Sequence, residues 1–127
     1  VSVAEYALAG REDTLLAINL HAVNFTFGVE SFEQQIAALA EFLAEHEGPA
    51  IVAGDMNTWS ASRQEVLDTH MSRYDLQPVI FEPDLRTAPF GRPLDHIFVR
   101  GLSARHAEVI PVDSSDHNPL RVTLALD

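Results

Sequence analysis

With 127 residues, 46% of them hydrophobic, the chain has material for one domain around a core of moderate size, and a mean hydropathy of +0.01 fits a water-compatible globular unit. The absence of cysteine excludes disulfides, thiolate catalysis and cysteine-bound zinc, so any metal must rest on carboxylates, imidazoles or amides. A formal net charge of -11, from 19 acidic and 8 basic residues, is poorly suited to gripping the backbone of a nucleic-acid duplex, and most of it reads as a solvated acidic surface.

Ser2 to Leu8 and Thr14 to Val23 read as two strands joined by the turn-like Ala9 to Asp13, a hairpin. In the second strand Leu16, Ile18 and Leu20 point one way, while Ala17, Asn19 and His21 point the other. Ser31 to Glu47 is a helix by the spacing of Phe32, Ile36, Leu39 and Leu43, with Ser31 and Gln34 as a capping box and Gly48-Pro49 as its stop. Ala50 to Gly54 is a short continuous apolar run, as expected of a buried strand under a covering helix. A second helix starts near Ser60 or Ser62, with Glu65 completing a capping box on Ser62, and ends before Gln77-Pro78. Glu82 to Pro93, with three prolines and a glycine, is mostly loop beside a short Val79 to Phe81 strand. Strands at Leu94 to Arg100, Arg105 to Val112 and Leu120 to Leu126 follow, so the fold class is α/β with a mixed β-sheet covered by helices. No apolar run nears the roughly 18 residues of a membrane span, and Val1 to Gly10 has no leader pattern; a cytoplasmic location is the expectation. Because Val1 stands inside a strand-like run, the chain also reads as a truncated piece.

Three short segments carry chemistry. Asp55 and Asn57 follow directly on a buried strand, where a rigid scaffold can hold a water-orienting carboxylate beside an amide able to bond a phosphate oxygen. The competing reading is an Asx-type turn. Asp95-His96 and Asp116-His117 each set a carboxylate next to an imidazole. Adjacent side chains diverge, so useful pairs should form between segments, with one carboxylate orienting the imidazole of another. His21 is a further candidate, balanced against a buried histidine satisfied by Asn19, Asn24 or a backbone carbonyl. His46, His70 and His106 read as structural, and Trp59 and Phe90 could stack a substrate base but more simply cover the core rim. The sequence has no Gly-x-Ser-x-Gly elbow, no phosphate-binding Gly-rich loop ending in Lys-Ser or Lys-Thr, and no paired-histidine zinc helix.

Taken in order, Asn19-Leu20-His21, Gly54-Asp55-Met56-Asn57, Asp95-His96-Ile97-Phe98 and Ser115-Asp116-His117-Asn118-Pro119 resemble the endonuclease/exonuclease/phosphatase superfamily, which includes deoxyribonuclease I, apurinic endonucleases, sphingomyelinases and inositol phosphate phosphatases. Within it the chain looks most like uncharacterised bacterial members. The resemblance implies one half of a four-layer α/β sandwich, two sheets packed face to face with the site at one edge. It implies in-line attack of water on phosphorus assisted by Mg2+ or Mn2+. By the same match Asp55 orients or activates the water, Asn57 binds phosphate or orients Asp55, Asp116 is a metal ligand, His117 stabilises phosphoryl charge, Asp95 orients His117, His21 lies near the leaving group, and Asn19 is a supporting contact. The family's early-strand asparagine and the glutamate that is its principal metal ligand have no counterpart here and should precede Val1. The chain therefore corresponds to the C-terminal portion of such a domain, inactive alone, and its uncovered sheet should pair with a second copy in a homodimer. A non-catalytic self-associating module is the alternative.

Overall fold

The computed structural model describes residues 1–22 and 28–127. β1 (Ser2–Ala7) and β2 (Thr14–His21) form the expected antiparallel hairpin, closed by an Arg11 N–H to Leu8 O bond of 3.2 Å, with Gly10 at φ +73° in the turn. Val23, where the second strand was expected to end, and Asn24 lie outside the described residues. α1 (Glu30–Glu45) then carries the chain back so that β3 (Ala50–Asp55) lies parallel to β2. After α2 (Ala61–Arg73) comes the two-residue β4 (Gln77–Pro78), and β5 (Asp95–Arg100) runs antiparallel to both β3 and β4. The five strands make one mixed sheet in the order β1-β2-β3-β5-β4.

One face of this sheet is the helix-covered core. Leu16, Ile18 and Leu20 of β2 point into it as period-two alternation requires, meeting Phe32, Ile36, Leu39 and Leu43 of α1 and Leu67 and Met71 of α2. Burying a side chain such as Phe32 contributes roughly 1.5–3 kcal/mol. Arg100, at the end of β5, donates to the carbonyls of His46, Gly48 and Tyr74, satisfying acceptors at the C-terminal ends of both helices.

The opposite face carries Ile51, Ile97 and Val99, which pack with Val79 and Phe81 against a second, two-stranded antiparallel sheet of β6 (Leu102–Val109) and β7 (Leu120–Leu126). The chain thus supplies three layers: helices, a five-stranded sheet and a two-stranded sheet. Among the described residues, no helix is long and apolar enough to cross a membrane.

Several boundaries differ from the sequence reading. α1 begins at Glu30 with Val29 as its N-cap and no side-chain cap, so Ser31 lies inside the first turn and no capping box forms. Ser60, not Ser62, caps α2, its hydroxyl accepting from Arg63 N–H. The strand expected at Val79 to Phe81 is Gln77–Pro78, with one further bond from Val79 N–H to Ile97 O. β6 starts three residues before the expected Arg105, because Gly101 at φ +71° reverses the chain between β5 and β6 in a single residue.

Candidate active site

Asp55 ends β3 on the inner strand of the mixed sheet. Its carbonyl accepts from Ala22 N–H and Met56 N–H donates to Leu94 O, both at 2.8 Å, so the strand tip is pinned from both sides. Close approach of β2 is possible because residue 54 is glycine: at φ +144° a Cβ there would stand 1.9 Å from Leu20 O. The Asp55 carboxylate has two jobs. Its Oδ1 accepts Asn57 N–H at 2.9 Å, an Asx-type turn, while Oδ2 stands 3.5 Å from His21 Nε2 and 3.6 Å from His117 Nε2. The Asx-type turn is thus present through Oδ1, while Oδ2 is directed towards the two imidazoles.

Asn57 sits at φ +48° and is buried. Its Nδ2 donates to Ala22 O at 2.7 Å and its carbonyl accepts from the Arg63 guanidinium at 3.3 Å. The amide thereby ties the end of β2 to the segment after β3, a supporting role for Asp55.

Asp95 opens β5 in direct register with Asp55. Its Oδ2 meets His117 Nδ1 at 2.7 Å, which makes Nδ1 the protonated nitrogen and turns Nε2 towards Asp55. His117 comes from the loop between β6 and β7, so the pair joins the two sheets at one edge. The hydrogen bond to Asp95, reinforced by the charges of Asp95, Asp55 and Asp116, raises the His117 pKa above the ordinary histidine value. Burial raises Asp95, opposed by its bond to His117 and the imidazole's charge. Two carboxylates around the imidazole favour its charged form relative to a free histidine, and in that form Nε2 can donate to a developing oxyanion.

Asp55, Asp95 and His117 line a cavity of about 520 Å³ together with Ala53, Ile97, Ser115 and Asn118, and Asn57 is not part of its lining. His21 stands at its mouth, with its side chain 79% exposed. Asn19 is exposed on the same face of β2. Asp116 is exposed, its carbonyl accepting from Thr87 Oγ1, and its carboxylate is not part of the converging group. Trp59 and Phe90 pack edge to face, with ring centroids 6.5 Å apart, and are not among the residues lining the cavity. His46, bonded to Pro49 O, buried His70 in α2 and exposed His106 in β6 all lie away from it.

Asp55, Asp95 and His117 each offer a ligand-type atom within 4.8 Å of the others. The 2.7 Å bond already engages Asp95 Oδ2 and His117 Nδ1, and Asn57 N–H engages Asp55 Oδ1. A hard cation such as Mg2+ prefers about six oxygens, so the group fits such an ion only with further carboxylate or carbonyl donors.

Three supporting residues escape sequence reading. Arg63 is buried between the rings of Phe32 and Trp59 while reaching Asn57 O. Thr58 Oγ1 lies 2.7 Å from both Pro93 O and His96 Nε2, and Arg86 reaches Asp95 O. An arginine at helical spacing from Leu67 and Met71 is the one faint signal among these; the rest depends on loops brought together only by folding.

Comparison with known proteins bears on the family and the fold. The model of the Endonuclease/Exonuclease/phosphatase family matches residues 3–117. A UPF0294 protein of Vibrio vulnificus is 48% identical over 124 residues, 97% of this chain but 43% of that protein, so the chain spans less than half the length of this relative. Among solved structures, a functionally unknown conserved protein from Enterococcus faecalis superposes at a TM-score of 0.66 with 18% identity, covering 94% of this chain and 53% of the other. The human Nocturnin catalytic domain with bound sulfate anion does so at 0.60 with 22% identity, covering 94% and 49%. At these identities the two structures speak for the fold.

Proposed function

The chain belongs to the endonuclease/exonuclease/phosphatase family, and from that membership we propose that it is the C-terminal portion of a metal-dependent phosphoester hydrolase. The observation that carries the proposal is the Asp95–His117–Asp55 arrangement, in which one imidazole is fixed by a 2.7 Å bond and presents its other nitrogen beside a second carboxylate. In this reading Asp55 Oδ2 orients the attacking water, and its Oδ1 is held by Asn57 N–H so that the free oxygen keeps one direction. His117, oriented by Asp95, donates from Nε2 to the phosphoryl oxygen as negative charge builds on it. His21, exposed at the cavity mouth, meets the leaving group. Mg2+ or Mn2+, held in part by Asp116 and in part by residues of the remainder of the protein, would neutralise charge on the phosphoryl oxygens.

Water would attack phosphorus in line with the departing oxygen. The acidic surface favours small phosphoesters over long duplexes as substrates. The 127-residue chain by itself is inactive in this reading, because the ligand-type groups that converge among the described residues fall short of a full oxygen ligand set. Its uncovered sheet face pairs two copies in a homodimer. The test is an assay of the longer protein with Mg2+ or Mn2+ against nucleic-acid, nucleotide, sugar-phosphate and phospholipid substrates. Turnover of at least one, reduced about 10²-fold or more by Asp55→Asn and by Asp116→Ala, is expected. Failure on all four classes, with no response to Asp116→Ala, would remove the hydrolase reading and leave a non-catalytic self-associating module.

A further inference from the structure

The Asp95–His117 pair spans two separate segments, the start of β5 and the β6–β7 loop, and its 2.7 Å length demands that something fix one against the other. The segment Asp84–Arg86 touches both. On the Asp95 side, the Arg86 guanidinium forks onto Asp84 through two bonds of 2.8 Å and lies over the Phe81 ring at 5.4 Å, so its plane is set before it reaches the site. Its remaining nitrogen donates to Asp95 O at 3.1 Å and faces His96 Nδ1 at 3.4 Å. That last contact is attractive only if Nδ1 carries a lone pair. The neighbouring bonds permit this: Thr58 Oγ1 donates to Pro93 O and so accepts from His96 Nε2–H. Burial, with the Arg86 charge behind it, keeps His96 neutral, its pKa lowered to about 4.

On the other side, Leu85 O accepts from Asn118 Nδ2 at 2.8 Å, and the same amide's Oδ1 accepts from Val112 N–H at 3.2 Å. Asn118 thus closes the loop that presents His117 and fastens it to the residue next to Arg86.

We propose that Asp84–Arg86 is a clip that sets the Asp95–His117 geometry, with Arg86 the positioning residue for Asp95 and Asn118 the positioning residue for His117. Neither side chain need touch substrate. The proposal rests on the hydrolase reading for its catalytic meaning but not for its geometry, so the first measurement requires no turnover.

In the uniformly 15N-labelled chain, the proton of His117 Nδ1, assigned by its absence in His117→Gln, should give a low-field resonance protected from water by Asp95. Arg86→Gln should lose that resonance to exchange while the amides of α1 stay protected, which shows an intact core. Persistence of the resonance in folded Arg86→Gln overturns the clip. If Arg86→Gln does not fold, Asn118→Ala decides by the same criterion: loss supports the clip and persistence overturns it. In the longer protein, Arg86→Gln should lower kcat on the order of 10- to 100-fold with KM within about twofold, as expected of misplaced groups rather than lost binding. If that protein hydrolyses no phosphoester, the functional reading fails while the resonance result stands.

Discussion

Asp55 shows how a residue can satisfy two explanations at once. The Asx turn through Oδ1 fixes the carboxylate plane, and only then does Oδ2 have a defined place between His21 and His117. Asp95 acts on His117 in the same manner, by orientation and charge. Replacing Asp95 with asparagine removes the main cause of the raised His117 pKa, so NMR titration of Asp95→Asn should show His117 protonating closer to the ordinary histidine range. His96 makes an opposite prediction. Its pKa falls from 6.5 to about 4 on folding, so the unfolded chain binds the extra proton between those values. The associated stability is present above pH 6.5 and is lost as pH falls towards 4, a change of about 3 kcal/mol across the window. Urea unfolding of His96→Gln between pH 7 and pH 4 should be flatter than that of the unaltered chain by about this amount. An equally steep profile would assign the acid sensitivity elsewhere.

At the scale of elements, the ends of strands and helices decide where the site residues point. β3 delivers Asp55 only because β2 can press against Gly54. Gly54→Ala puts a methyl group into Leu20 O and forces a backbone angle that side chains resist, and it should cost at least about 4 kcal/mol or abolish folding in thermal denaturation. The two helix starts give a paired test. Ser60→Ala removes a true cap and should destabilise by about 1 kcal/mol. Ser31→Ala, which the sequence pattern alone ranks as equally harmful, should be neutral or stabilising by a few tenths, because Ser31 lies exposed inside the first turn of α1. A chemical-denaturation midpoint for each variant separates them. The sequence misjudged these starts because a capping box depends on the backbone conformation of the residue before the helix, and Val29 takes that place with a helical backbone. It misplaced β6 for a similar reason: Gly101 could equally have ended a strand in a loop, and only pairing with β7 shows that it turns the chain directly.

For the molecule as a whole, the decisive feature is the unequal cover of the two faces of the five-stranded sheet. The helices cover one face over β2, β3 and β5, while β6 and β7 cover the other beside β3 and β5 and leave a groove of about 250 Å³ lined by Tyr6, Ala17 and Ala53 on the β1 side. An apolar sheet face of that kind drives association, so sedimentation equilibrium of the 127-residue chain should show a dimer at micromolar concentration, and a stable monomer would count against the pairing. The α/β class, the hairpin, both helices and β7 were legible in the sequence, and of the motif residues the fold brings Asp55, Asp95 and His117 together while Asn57 is buried with its amide on Ala22 O. Periodicity follows directly from which side chains must leave water, and the ordered motifs mark residues whose chemistry is tied to their type. The Asp95–His117 couple was expected from the motifs, but tertiary structure alone decided its length, that Asp116 stands outside the group, and how Arg63, Thr58, His96 and Arg86 bond around it. Those facts depend on distances between segments remote in the chain, and such distances exist only after the core has packed.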